Sequence, residues 1–215
     1  MEVYNSEEEQ LEAVKRWWKA NGSSAVIGSI MGIVLILGWQ FWQKHQHGQA
    51  EQASSLYAQM QLAVDKEQHQ SALKIAEQMH SKFGGTAYST YTSLFEAKVN
   101  VQLGKLDVAQ QILEKLVKSK NEGVNDVANI RLIRLLLTTG QYEQGLQRIA
   151  SVDSAKSASF SANYDELTGD LYVALDRLGE ARTAYQTAIR EGASSPLLQF
   201  KLDDITASET LNTLN

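Results

Sequence analysis

The chain has 215 residues and a net charge of -5, with 20 lysines and arginines against 25 aspartates and glutamates. That balance excludes a nucleic-acid binder, which needs a basic surface to neutralise phosphates. There is no cysteine and only one proline, Pro196, and the near absence of alternating Val/Ile/Thr runs points to an all-helical protein.

Ser6-Glu7-Glu8-Glu9 reads as a capping box, with Ser6 as N-cap and Glu9 reaching back. Acids open this helix and Lys15, Arg16 and Lys19 close it, which complements the helix dipole. Leu11, Val14 and Trp18 fall at helical spacing, so residues 1–21 read as a short amphipathic tail lying on a membrane surface. Asn21-Gly22 is a suitable place for it to break.

Residues 22–43 read as a transmembrane helix. From Ala20 to Gln43 no side chain is charged. As a helix, that gap spans about 36 Å against a hydrocarbon core of roughly 30 Å. Trp17 and Trp18 stand before the run and Trp39 and Trp42 at its far end, where interfacial aromatics sit. The bases near the membrane lie on the N-terminal side, which keeps the short end cytoplasmic and exports the rest. A cleaved signal peptide would need a shorter core and a small-x-small site; the exit Gly38-Trp39-Gln40-Phe41-Trp42 offers none, so the span reads as an uncleaved signal anchor. Ser24, Gly28 and Gly32 repeat every four residues and would let another helix approach closely. Glycine is also common in membrane helices without such a role.

Residues 44–207 hold an internal repeat. Segments beginning at Glu67, Gly104, Gly140 and Asp176 align without gaps, 37, 36 and 36 residues apart. Five positions on stand Ala72, Ala109, Gly145 and Ala181, then the apolar sets Ala76, Leu113, Ile149, Tyr185 and Met79, Leu116, Val152, Ala188. Helical stretches 53–64, 88–103, 127–138 and 164–175 precede the four starts. The unit is helix, tight turn, helix, with small residues where paired helices meet. This is the anatomy of a tetratricopeptide-like repeat, and it predicts an α-solenoid of four helical hairpins. Gly84 and Thr86 read as C-cap and N-cap between units. Pro196 opens a last helix, to about Ala207, that caps the open end, and 208–215 form a polar tail.

Catalytic signatures are missing: no Gly-x-Ser-x-Gly, no His-Glu-x-x-His and no cysteine nucleophile. His45, His47, His69 and His80 read as surface residues, and the acidic groups Asp165/Glu166/Asp170 and Asp203/Asp204 as solubilising charges. The chain reads as a non-enzyme without a cofactor or metal. A solenoid offers instead a concave face lined by the first helix of each unit. Lys98, Arg134 and Asp170, with Gln61, occupy equivalent positions on those helices, flanked by Leu94, Val101, Ile130, Leu137, Glu166 and Val173. They predict a mixed groove suited to an extended polypeptide; a one-residue register error would instead bury some in the seam between repeats.

The run Glu2-Val3-Tyr4, Glu9-Gln10-Leu11-Glu12-Ala13-Val14-Lys15-Arg16-Trp17-Trp18, Asn21-Gly22 and Gly38-Trp39 resembles the YfgM-type ancillary subunits of the bacterial Sec translocon. Gly179 to Tyr185 is similar to that family's last repeat. The resemblance implies a single-pass protein of the bacterial inner membrane, cytoplasmic at the N-terminus and periplasmic beyond the span. It implies partners in the SecYEG translocon and in PpiD, a membrane-anchored periplasmic chaperone, with handover of unfolded secretory proteins between them. A second implied role is regulation of an envelope stress response through the cytoplasmic tail.

Overall fold

The computed structural model describes residues 7–119 and 121–212, so Ser6 lies outside it. Every regular element among the described residues is helical: α1 (Glu7–Asp65), α2 (His69–Phe83), α3 (Ala87–Gln102), α4 (Leu106–Leu116), α5 (Glu122–Thr138), α6 (Tyr142–Ala150), α7 (Ser161–Ala174), α8 (Leu178–Arg190) and α9 (Pro196–Asn212), with one 3-10 turn at Ala158–Phe160. The all-α expectation holds. The chain divides into two units, Met1–Gln52 and Ala53–Asn215.

In the first unit α1 carries an apolar segment long enough to cross a membrane, none of it buried within the protein. Leu35 is 68% exposed and Phe41 76%. The helix runs unbroken through Asn21-Gly22. One interior glycine costs only about 1 kcal/mol in a helix, and here the site is covered. The position of a Cβ on Gly22 would lie 3.2 Å from the Trp18 ring, and Asn21 Nδ2 donates to the Trp17 carbonyl at 3.3 Å. The change from tail to span is therefore one of composition and leaves the backbone regular. At Gly28 and Gly32 an added Cβ would meet nothing within 4 Å.

The second unit is built from the repeat. Glu67, Gly104, Gly140 and Asp176 all take positive φ, at 55°, 72°, 76° and 58°. After each, the next backbone N–H donates to a carbonyl five residues back: Gln68 to Ala63, Lys105 to Asn100, Gln141 to Leu136 and Arg177 to Tyr172, all at 2.8 Å. These are Schellman turns, which satisfy the last carbonyls of one helix and reverse the chain into the next. Glycine enters the left-handed region freely; Glu67 and Asp176 do so against the preference of an L-residue.

Past each turn the small residue is buried: Ala72, Ala109 and Ala181 have no exposed surface, and Gly145 is buried too. At Gly145 an added Cβ would come 2.8 Å from Leu171. That contact joins α6 to α7 of the next hairpin, while the core clusters pair α2 with the end of α1, α4 with α3, α6 with α5 and α8 with α7. Successive first helices also touch, α3 with α5 and α5 with α7, which sets α3, α5 and α7 side by side. Asn121 caps α5, accepting from Val124 N at 3.2 Å, so α5 starts five residues before the 127–138 stretch read from the sequence. Gly84 is the C-cap of α2 but with φ -55°, right-handed; it is needed there because a Cβ would stand 2.8 Å from the His80 carbonyl oxygen. Thr86 caps α3 through Ser89 N. Helix α9 packs Leu198 and Ile205 on Ala181, Tyr185 and Ala188 and continues to Asn212, five residues past the predicted end.

Candidate partner-binding groove

A cleft of about 410 Å³ opens between α3 and α5 and is floored by α4. Its apolar base includes Ala97, Leu106, Leu113 and Leu135, and its rim carries Lys98, Val101, Arg131 and Arg134. Three of the groove residues read from the sequence, Lys98, Val101 and Arg134, thus come together. Lys98 and Arg134 are exposed, as is Val101 at 43%.

Arg131 was not singled out by the repeat alignment, yet it is the most informative member. It lies one helical turn before Arg134 on the same face of α5. Its Nη1 donates to the Leu94 carbonyl across the groove at 2.7 Å. Burial lowers its pKa, and the neighbouring Arg134 charge lowers it further. Among the described residues no carboxylate meets Lys98, Arg131 or Arg134. In a protein of net charge -5, these three cations, without a carboxylate partner among the described residues, form over an apolar floor a patch of opposite sign to the molecule.

Aromatic residues adjoin this rim. Tyr57 packs at centroid distances of 5.7, 6.2 and 5.7 Å against Tyr88, Tyr91 and Phe95, tilted to the two tyrosines and edge-on to the phenylalanine. Its hydroxyl pKa is raised by burial and by Tyr91, and lowered in part by Arg131, whose charge it feels. Aromatic and arginine side chains together are the usual anchors of protein-protein contacts.

The other predicted residues are placed differently. Leu94 is half-buried against the α3–α5 core and contributes its carbonyl to Arg131. Ile130 is only 6% exposed and, with Leu137, packs in the seam with Tyr164, Leu167 and Leu171. Glu166 and Asp170 face α9, where Lys201 Nζ donates to Glu166 Oε1 at 2.8 Å and to both Asp170 oxygens at 2.7 and 2.9 Å. Tyr185 adds its hydroxyl to Asp170 Oδ1 at 2.8 Å. Their acidity is thus engaged within the chain. Gln61 and Val173 are exposed. Ser24 and Gly28 are exposed and Gly32 is half-buried.

His80 bonds Ser89 Oγ at 2.8 Å and Glu96 Oε2 at 2.9 Å. No group of residues among those described is arranged to hold a metal.

The tetratricopeptide repeat-like domain family matches residues 15–207. The chain belongs to that family. Among curated relatives of this tetratricopeptide repeat-like chain, a protein of Haemophilus influenzae is 29% identical over 94% of the chain and 100% of its own length. One of Escherichia coli is 28% identical over 95% and 99%. Both are named "Ancillary SecYEG translocon subunit". The resemblance in the first 45 residues therefore extends along 94–95% of the chain. Among solved structures, MamA 41-end from Desulfovibrio magneticus RS-1 superposes with a TM-score of 0.58 over 74% of this chain and 85% of its own, at 18% identity. That match shows the fold alone.

Proposed function

We propose that this protein is a non-catalytic ancillary subunit of the SecYEG translocon, anchored by one span with its N-terminus cytoplasmic and its repeats periplasmic. The observation that carries the reading is similarity to two translocon subunits over essentially their full length. The apolar segment of α1, with Lys15, Arg16 and Lys19 on its N-terminal side, supports inner-membrane location and this sidedness. The repeat unit then recruits a PpiD-like periplasmic chaperone or an emerging secretory chain. Its groove suits an extended acidic-apolar segment, with Lys98, Arg131 and Arg134 reading the charge and the cleft base taking apolar side chains.

The test is site-specific photocrosslinking in cells from positions 98 and 134, with position 74 on the exposed face of α2 as control. Adducts to a membrane-bound chaperone or a translocating chain from 98 and 134 alone are expected. Equal labelling from position 74 would sink the groove assignment. Loss of SecYEG co-purification when residues 22–43 are replaced by an unrelated span would show that the span itself docks. A regulatory role through the tail is favoured by one observation, the outward Leu11, Val14, Trp17 and Trp18, each over half exposed. Deleting residues 1–20 with topology maintained should spare periplasmic crosslinks and abolish a stress output if that role exists.

A further inference from the structure

A second cavity of the repeat unit, about 420 Å³, shares no lining residue with the groove. It is enclosed by the first turns of α5, the end of α6 and the loop that follows. Its lining includes two polar side chains that are more than nine-tenths buried, Asp126 at 3% exposure and Asn129 at 6%. They are one helical turn apart on one face of α5.

Their hydrogen bonding is incomplete in a specific way. Ser157 Oγ at 2.6 Å and the Tyr164 hydroxyl at 2.7 Å both donate to Asp126 Oδ1. Asp126 Oδ2 receives no donor from the described residues, and no cation meets the carboxylate. Tyr164 stays protonated as a donor, because burial and the adjoining Asp126 raise its pKa. Asn129 Nδ2 donates to Asn125 Oδ1 at 2.8 Å, and Asn125 Nδ2 is given in turn to the Val117 carbonyl. This relay fixes which way the Asn129 amide points and leaves its Oδ1 buried without a donor. Arg148 also lines the cavity and has no carboxylate partner among the described residues. A buried carboxylate without a cation and a buried acceptor without a donor are each costly, and native proteins seldom leave them so.

We propose that this cavity binds a guanidinium group whose bearer also carries a carboxylate. Its N–H donors serve Asp126 Oδ2, the carboxylate oxygen left without a donor, and a planar guanidinium, less strongly hydrated than an ammonium, suits a buried ion pair better. The carboxylate pairs with Arg148. Free arginine and a peptide ending in arginine both have this chemistry.

The experiment is calorimetric titration of the full chain in detergent micelles. N-acetyl-arginine should bind, N-acetyl-citrulline at least tenfold more weakly, and N-acetyl-argininamide several-fold more weakly. A tripeptide ending in arginine, set against free arginine, assigns the source by whichever binds tighter. Asp126→Asn should abolish binding. Because that change touches the core, Arg148→Gln is the second arm: it should bring N-acetyl-arginine down to the affinity of the amide and leave the amide unchanged. Equal binding of the arginine and citrulline compounds, or binding of neither, would overturn the proposal and leave a solvated cavity.

Discussion

Residues 30–37 and residues 130–137 are both apolar helical runs, and they solve opposite problems. In α5, Leu132, Ile133, Leu135 and Leu136 are all under 7% exposed, covered by α4, α6 and α7. In α1, Ile33, Val34, Leu35 and Ile36 are 57% or more exposed. The second run is interrupted by Arg131 and Arg134, which mark a wet face; the first has no such mark on any side. Periodicity tells the two apart: a core helix keeps a polar stripe, whereas a helix that meets apolar solvent all round needs none.

The sharpest way to break this comparison is to exchange the marks. Ile33→Arg puts a charge at the centre of the span, at an insertion cost of about 3 kcal/mol. A glycosylation or protease-protection assay should show a large drop in inserted protein, with no change in the melting of the isolated fold. If insertion is unaffected, residues 22–43 are not in lipid.

Within the repeats the largest effect is expected at Gly169. An added Cβ would clash with the Tyr185 ring, which is 2% exposed and tied through its hydroxyl to Asp170. Overpacking of this kind costs roughly 1–3 kcal/mol, and Gly169→Ala should sit at the upper end by chemical denaturation. Gly145→Ala meets Leu171 methyls at 2.8 Å, the far end of a side chain that can rotate, and should cost less.

Lys201→Met should lower stability by about 1–2 kcal/mol, between the values for exposed and buried ion pairs. It leaves Glu166 and Asp170 facing each other without their cation. Burial opposes the Lys201 charge, but hydrogen bonds to Asp170 and Glu166 outweigh it and raise its pKa above 10.5. Tyr164 and Tyr185 are also raised above 10, chiefly by burial. All three hold protons more tightly folded than unfolded, so their contribution is complete at neutral pH and is lost as pH rises beyond 10. The wild type should therefore lose stability on the alkaline side, and Lys201→Met should flatten that limb.

Much of the fold was legible because the repeat writes the same demand four times. A left-handed turn residue, a small residue five later and apolar residues beyond it are all set by local geometry, and Glu67 shows that the position dictates the turn even where the residue resists it. Glu67→Gly should thus stabilise the first hairpin by ~0.5–1 kcal/mol, since the left-handed penalty of an L-residue disappears. The site was legible only in part. Lys98, Val101 and Arg134 follow from repeat position, and Arg131 follows from Arg134 by one helical turn. Glu166 and Asp170 occupy equivalent positions, but the four aligned segments end with α8 and do not include the helix that supplies Lys201, so alignment could not reveal their partner. The link among Asp126, Ser157 and Tyr164 joins residues 31 and 38 apart with no periodic signal at all.

The smallest expected effect separates packing from docking in the first unit. At Gly28 a Cβ meets nothing within 4 Å, so nothing in this chain requires glycine there. Gly28→Leu should leave folding unchanged and insertion equal or slightly better, because leucine is the more apolar residue. If the Ser24, Gly28 and Gly32 face seats another membrane helix, the same substitution should release that partner in detergent co-purification, because the close approach of backbones is lost. Retention of every membrane partner by Gly28→Leu together with Gly32→Leu would reduce the face to ordinary span composition. The apolar run would then be matched to lipid on all sides, as α5 is matched to its neighbouring helices.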